Sequence, residues 1–282
     1  MKRIVTMQDL SGVGKCSLTA AIPVISAMGI ETSVLPTAVL SAHTMFHDVV
    51  FHDLTAAIPS FMNHWQKEGI TFDAVYTAYL GSAAQLELAE ELIKRFPAKD
   101  FILVDPCMAD HGKLYSGFTD DFPARMRDLC GMADYICPNL TEAALLTGET
   151  YIAENYPEEY IRTLLKKLAA LGAGTAMITG VSFDPDKLGV CTYDSRTNTF
   201  SSYFTQKQPQ NFPGTGDLWA SCLCGAIANG MSTAGAIRLA CDFVNEAIRR
   251  TLADPGHHSY ATNFEQALPF LIDRMRKALS EK

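Results

Sequence analysis

The sequence predicts an α/β fold: a mainly parallel central sheet with helices on both faces. Short apolar runs alternate with longer amphipathic segments along most of the chain, the pattern of repeated βα units. The residues able to do chemistry fall just after those short runs, where open α/β sheets bind ligands. With 48% hydrophobic and 19% charged residues in 282, the chain can bury a large core and is not of disordered composition.

The expected strands are Arg3–Gln8, Thr32–Thr37, Ala74–Ala78, Phe101–Asp105, Tyr135–Cys137 and Ala176–Thr179, each a short β-rich run. Between them the expected helices are Cys16–Met28, His52–Glu68, Ala83–Phe96, Ala124–Gly131, Thr141–Thr147 and Glu158–Leu171. Leu188–Asp194 and Thr199–Thr205 flank the turn residues Ser195-Arg196-Thr197-Asn198, which predicts an antiparallel hairpin at one sheet edge. Helices follow over Gly216–Asn229, Thr233–Ala253 and Asn263–Ser280, with breaks or kinks at Asp254-Pro255-Gly256 and Pro269. No linker rich in Pro, Gly or Ser, no low-complexity tract and no fixed-period repeat interrupts the chain. A single domain over residues 1–282 is expected.

The net charge of −8 comes with no basic stripe, which argues against a nucleic-acid partner. A nucleotide can still be held locally by backbone amides. The eight cysteines include no Cys-x-x-Cys pair, so a structural zinc site is not expected and reduced thiols in a cytoplasmic setting are. No apolar run approaches the ~18 residues of a membrane span. The opening Met1–Val5 runs into a strand that Gln8-Asp9 interrupts, which does not read as a signal peptide.

The loop after the first strand, Gln8–Ser17, contains Gly14-Lys15 and invites a P-loop reading. Asp9 stands where the first P-loop glycine belongs, however, and Cys16 follows the lysine where Ser or Thr is required. A tight strand-to-helix turn lining a pocket is the better reading. His43, His47 and His52 likewise suggest a metal, but Ala42 and Thr44 flank His43 in place of the metalloprotease glutamate. A hydrogen bond from His43 to a ligand ring is expected instead, and Tyr79 suits packing against an aromatic ligand.

Gly214-Thr215-Gly216-Asp217 is the most informative segment. A glycine-rich turn that opens a helix directs several free N–H groups at one point, and the helix dipole adds positive potential there. Such a turn can hold the charge of a transferred phosphoryl group. Asp217 reads either as an acidic residue stabilising the helix start or as a general base beside an anion hole. Asp105 precedes Pro106 at a strand end, where an aspartate also forms ordinary turns. Asn139 suits a helix N-cap. Thr179-Gly180 ends another strand. Asp110–Gly117, with two glycines and polar residues, reads either as a flap able to close over a ligand or as a surface loop.

The Gly214–Asp217 turn resembles the signature of ribokinase-like kinases, and the rest of the chain agrees in order. Gln8 closes the first strand as in pyridoxal kinases. Ser41-Ala42-His43-Thr44 resembles their ring-contacting Ser-Asn-His-Thr, and Tyr79-Leu80-Gly81-Ser82 is the same as theirs. Asp105–Asp110 resembles their Asp-Pro stretch, and Pro138–Glu142 their Pro-Asn-x-x-Glu motif. The resemblance implies a ribokinase-like three-layer sandwich and ATP-dependent phosphorylation of the 5′-hydroxymethyl group of a vitamin B6 compound. It implies that Asp217 is the base and Gly214, Thr215 and Gly216 the anion hole. Asp9, Ser41, His43, Thr44 and Tyr79 would line the substrate site. Asp105, Asn139, Glu142, Thr179 and Gly216 would serve ATP, and Asp105, Asp110 and Glu142 would serve Mg²⁺, with a monovalent cation such as K⁺ as a further possibility. A homodimer, and small-molecule partners in place of a membrane or nucleic acid, belong to the same expectation.

Two departures matter. Asp9 replaces the serine of many pyridoxal kinases, which predicts that pyridoxamine or pyridoxine is used at least as well as pyridoxal. Ala42 replaces an asparagine and removes a polar contact. Kinases of hydroxymethylpyrimidine share the fold and a similar turn, and Asp9 makes them the alternative. A non-catalytic regulator on the same fold is the alternative of another class. A dinucleotide oxidoreductase lacks its Gly-x-Gly-x-x-Gly after the first strand.

Overall fold

The structure, a computed structural model, describes residues 1–280. In chain order its elements are β1 (Arg3–Ser11), α1 (Leu18–Ala27), β2 (Glu31–Leu40), β3 (Phe51–Asp53), α2 (Ile58–Lys67), β4 (Ala74–Thr77) and α3 (Ala83–Arg95). Then come β5 (Phe101–Val104), β6 (Ala109–Asp110), β7 (Lys113–Leu114), α4 (Phe122–Gly131), β8 (Tyr135–Ile136), α5 (Leu140–Thr147) and α6 (Glu158–Ala169). The chain continues through β9 (Thr175–Val181), β10 (Lys187–Asp194), β11 (Thr199–Gln206), α7 (Thr215–Ala228), α8 (Thr233–Leu252), a 3₁₀ turn (Phe264–Ala267) and α9 (Leu268–Ser280).

Nine strands form one sheet in the order β11-β10-β9-β8-β5-β4-β1-β2-β3. The six strands from β9 to β2 run parallel, and antiparallel neighbours finish both edges. Period-2 alternation sends side chains to two cores. On β4, Val75 joins one core while Ala74 and Tyr76 join the other; on β1, Val5 and Met7 oppose Ile4 in the same way. The first core lies under α2 to α6, with Leu86, Met126, Leu146 and Leu164 as examples. The second lies under α1, α7, α8 and α9, with Val24, Leu223, Phe243 and Leu271. The central strands, buried on both faces, therefore read as nearly continuous apolar runs.

Several boundaries shift, β1 running on to Ser11, α1 starting at Leu18 and the helix expected from Asn263 opening as a 3₁₀ turn, and two segments differ in kind from the sequence expectation. The helix expected over His52–Glu68 starts at Ile58, because Phe51–Asp53 pairs with the end of β2 as an edge strand. The Asp53 side chain accepts the Thr55 N–H at 2.6 Å and turns the chain, and Pro59 fits the first helical turn. The segment Asp110–Gly117 begins as a two-residue hairpin: β6 and β7 pair antiparallel around His111 and Gly112, both with positive φ.

Candidate active site

The carboxyl ends of β1, β4, β5, β8 and β9 open toward the start of α7. The site is built there from loops held rigidly by backbone chemistry. Gly214 has φ +77°, and a Cβ on it would lie 2.3 Å from the Lys15 carbonyl oxygen. Only glycine allows this contact, which presses the Gly214–Asp217 turn onto the loop leaving β1. Gly216 has no neighbour within 4 Å of the position its Cβ would take. Open space in front of the first turn of a 14-residue helix is what an anion needs in order to approach the free amides.

Asp217 borders that space. Burial pushes its carboxyl up to about 7, with the charge of Asp9 raising it further; the backbone N–H of Ser17 and its own N–H oppose the rise by stabilising the charged form. A carboxylate so placed is matched to accept a proton near neutral pH.

Asp9 is 5% exposed. Its oxygens accept the hydroxyls of Ser17 at 2.5 Å and Ser11 at 3.1 Å. Burial raises its pKa, and those hydroxyls and the field of His43 partly offset the rise. Tyr79 stands near it, its phenol pushed up to about 12 by burial and by Asp9 and Cys107. The Tyr79 ring packs at 5.8 Å from Phe118. The Tyr79–Ser82 turn is fixed by Gln85, whose Oε1 accepts the Gly81 N–H at 2.7 Å while its Nε2 donates to Thr37 O and Thr55 Oγ1.

Asp105, after β5, accepts no hydrogen bond through its carboxylate among the described residues. Burial raises its pKa well above the ordinary value, with Glu142 and Asp217 adding like-charge repulsion. Glu142 is 2% exposed and pushed up to about 8, chiefly by burial. Its oxygens accept backbone N–H groups of Met108 at 3.0 Å, Ala109 at 3.4 Å and Asn139 at 2.8 Å. Asn139 caps α5 through the Glu142 N–H, completing a capping box, and donates from Nδ2 to Ala109 O at 2.8 Å. These two residues therefore staple the Asp105–Asp110 loop to α5.

Among the described residues no three His, Cys, Asp or Glu side chains are grouped to hold a metal by themselves. The three carboxylates expected to serve Mg²⁺ do not converge: Asp110 is exposed and pairs with His111, and both Glu142 oxygens are occupied by backbone donors. Asp105 does fit a cation, being a carboxyl with no protein donor whose proton a cation would displace, with Glu142 and Asp217 nearby. Mg²⁺ needs only one or two carboxylates when phosphate and water complete its shell.

The other expected residues divide. Thr179 lies level with Asn139, its N–H donating to Pro138 O, but it does not end its strand as expected, because β9 continues to Val181. Ser41 uses its hydroxyl to accept the Val50 N–H, and Thr44 is exposed on the same loop. His43 is 5% exposed, with Nδ1 facing the Met45 N–H at 3.2 Å and Nε2 facing Tyr260 O at 2.9 Å. Both ring nitrogens serve the protein, so in this conformation neither is free to hydrogen-bond a ligand. Lys15 donates to Thr262 O at 2.9 Å and Glu265 at 2.7 Å, so its ammonium is engaged by the protein's own acceptors.

Four contributors were not singled out from sequence. Ser11 and Ser17 hold Asp9. Tyr115, 37% exposed as a residue, has its phenol raised by desolvation and by the charge of Cys107, Glu142, Asp110 and Asp105. Gln85 alone had a signal, since Ser82-x-x-Gln85 ahead of an apolar-periodic run is a capping-box pattern.

The profile of the phosphomethylpyrimidine kinase family matches residues 9–263. A Bacteroides thetaiotaomicron protein described as a phosphomethylpyrimidine kinase, crystallised with pyridoxal, superposes at a TM-score of 0.91 with 36% identity, over 96% of this chain and 95% of its own. Pyridoxal kinase of Lactobacillus plantarum superposes at 0.89 with 31% identity, over 97% of each chain. A chloroplastic thiamine biosynthetic bifunctional enzyme of Arabidopsis thaliana is 29% identical over 243 residues, 84% of this chain but 44% of the plant enzyme. The chain thus spans less than half the length of that relative.

Proposed function

The chain belongs to the phosphomethylpyrimidine kinase family and shares the ribokinase-like fold of pyridoxal kinases; from that premise we propose that it transfers the γ-phosphoryl group of ATP to the 5′-hydroxymethyl group of a vitamin B6 compound. The observation that carries the reading is the pairing of Asp217 with the open Gly214–Gly216 turn: a base poised at about 7 beside an amide-lined anion space. The substrate hydroxyl gives its proton to Asp217 as its oxygen bonds to the γ-phosphorus. The bond from that phosphorus to the ADP oxygen breaks, and the turn amides with the α7 dipole stabilise the charge in flight. Asp105 would hold Mg²⁺, which would neutralise phosphate charge. Tyr115 and the β6–β7 hairpin, tied to α5 by the Gly112 N–H to Thr141 Oγ1 at 3.0 Å, would cover the triphosphate and exclude water.

The choice of vitamin B6 is supported by Tyr79-Leu80-Gly81-Ser82, by the Tyr79 phenol near Asp9, and by the pyridoxal in the crystal of the Bacteroides relative. The second reading, a hydroxymethylpyrimidine kinase, is favoured by the family's description and by the plant thiamine enzyme. A coupled turnover assay with MgATP against pyridoxal, pyridoxamine, pyridoxine and hydroxymethylpyrimidine, with product mass measured, separates them. Turnover of a B6 compound is the expected result. Turnover of the pyrimidine alone would replace the reading with the second, and ATP binding without turnover would favour a regulator. A homodimer in the cytoplasm belongs to the same proposal, and light scattering of the purified chain tests the assembly.

A further inference from the structure

Ser17 stands where β1 has turned back and α1 begins, and its geometry is unusual in three ways. Its φ is +51°, a left-handed conformation that an L-residue adopts only under constraint. It is the N-cap of α1, yet its hydroxyl makes no cap hydrogen bond. Serine at that position normally serves the helix amides. Instead the hydroxyl donates to Asp9 Oδ1 at 2.5 Å. The residue is 5% exposed, and its carbonyl oxygen accepts the N–H groups of Ala20 at 3.0 Å and Ala21 at 2.9 Å, so the backbone cannot swing without unwinding α1. The loop before it is clamped as well: Leu10 and Ser17 form an isolated β-bridge, and Gly214 sits against the Lys15 carbonyl.

We propose that Ser17 is a positioning residue for Asp9, orienting its carboxylate toward the substrate with the hydroxyl. The inference rests on the phosphotransfer reading for the role of Asp9, but not for the contact. Strained backbone conformations persist where the surroundings over-determine them and a function uses them. With the left-handed φ the hydroxyl faces Asp9 and not the amides of α1.

Alanine and glycine at this position separate the roles. Ser17→Ala keeps the N–H and the strained φ and loses the hydroxyl. Ser17→Gly also loses the hydroxyl but removes the strain, so it should melt higher than Ser17→Ala. A merely structural residue would leave Ser17→Gly as active as wild type. The positioning role predicts that both variants lose at least ~10-fold in kcat/KM, mainly through KM for the aminomethyl substrate, the scale set by misplacing a binding group. It also predicts that Ser17→Ala adds no further loss in an Asp9→Asn background, the mark of a shared interaction. Carboxyl ¹³C NMR on the ligand-free protein gives a readout independent of the reaction: without its closest hydroxyl donor, Asp9 should titrate at higher pH in Ser17→Ala than in wild type. Wild-type turnover with an unaffected Ser17→Gly enzyme overturns the positioning role and leaves the kinase reading standing. No wild-type turnover on any substrate removes the kinase reading, and the NMR titration still decides: an Asp9 value unchanged by Ser17→Ala overturns the proposal.

Discussion

Replacing Asp217 with asparagine should make the protein more stable at pH 8 and nearly inactive. The carboxyl is pushed from its ordinary 3.8 up to about 7, first by burial and then by the charge of Asp9. A carboxyl whose native value lies above its unfolded value favours folding while it is protonated. That contribution is complete below pH 3.8 and is lost as the pH rises through about 7, because the native state must then hold a desolvated charge. At about 1.4 kcal/mol per tenfold, the gap between 3.8 and about 7 corresponds to roughly 4 kcal/mol. Solvent reaches one side of the site and relaxes part of this, so about 2 kcal/mol is the expected cost of the ionised carboxylate. Asparagine fills the same volume, is neutral at every pH, and its carbonyl can accept the Ser17 N–H. Thermal unfolding at pH 8 should therefore show a Tm higher than wild type by about 4 °C, shrinking toward pH 5. In the same variant kcat should fall at least ~10²-fold, the scale of a lost general base. Equal Tm values at both pH values would refute the buried-charge argument, and a near-normal kcat would remove Asp217 from the role of base.

Gly214→Ala places a methyl 2.3 Å from the Lys15 carbonyl at a positive φ and should destabilise by about 1–3 kcal/mol, read in a thermal melt. Gly216→Ala, with open space at its Cβ, should melt within about 1 °C of wild type yet turn over poorly, because the methyl enters the anion volume. Lys15→Ala should lower Tm through the lost contacts to Thr262 and Glu265 while KM for ATP stays within about twofold; a large rise in that KM would restore a phosphate role for the lysine. Asp9→Asn should move the acidic limb of kcat/KM to lower pH, since the Asp9 charge raises the proton affinity of Asp217, and should lower the preference for pyridoxamine over pyridoxal. An unmoved limb would mean that Asp9 does not act on the base.

The elements most readable in the sequence were those fixed by local signals. The buried parallel strands announce themselves as apolar runs, and the Leu188–Thr205 hairpin by its turn, which the structure forms over Lys187–Gln206. The start of α5 at Asn139 was legible because a capping box is a local pattern. Phe51–Asp53 was not: three exposed residues become a strand only because the end of β2 lies beside them, and no local pattern records that pairing. The strand-end aspartates stood out by position, but what they contact did not. Glu142 reads in sequence as one more acid near a phosphate, whereas its oxygens are filled by three backbone donors from two loops. His43 reads as a ligand contact, yet its nitrogens go to a neighbouring turn and to Tyr260, 217 residues away. Ser17 carries no motif because its role depends on a φ that serine does not favour. Sequence patterns specify which groups are present, while partner satisfaction, which decides whether a group is free for a ligand, is set by contacts distant in the chain.

That distinction bears on the charge balance of the site. Asp105, Glu142 and Asp217 all hold raised proton affinities, and neither lysine nor arginine contributes to lowering any of them. Lys15 is committed to Glu265 and Thr262. What opposes the negative charge within the chain is the start of α7, the backbone donors on Glu142 and the N–H groups facing Asp217. Backbone dipoles are fixed and weaker than a full charge, so they can orient an anion without neutralising a carboxylate. On the proposed phosphotransfer reading, a site with several carboxyls and so little positive charge would favour a triphosphate that arrives with its own cation. The same imbalance accounts for the base: a lysine beside Asp217 would hold its carboxyl near or below 3.8, where it would accept a proton from an alcohol poorly, and the absence of such a partner is what leaves the group at about 7.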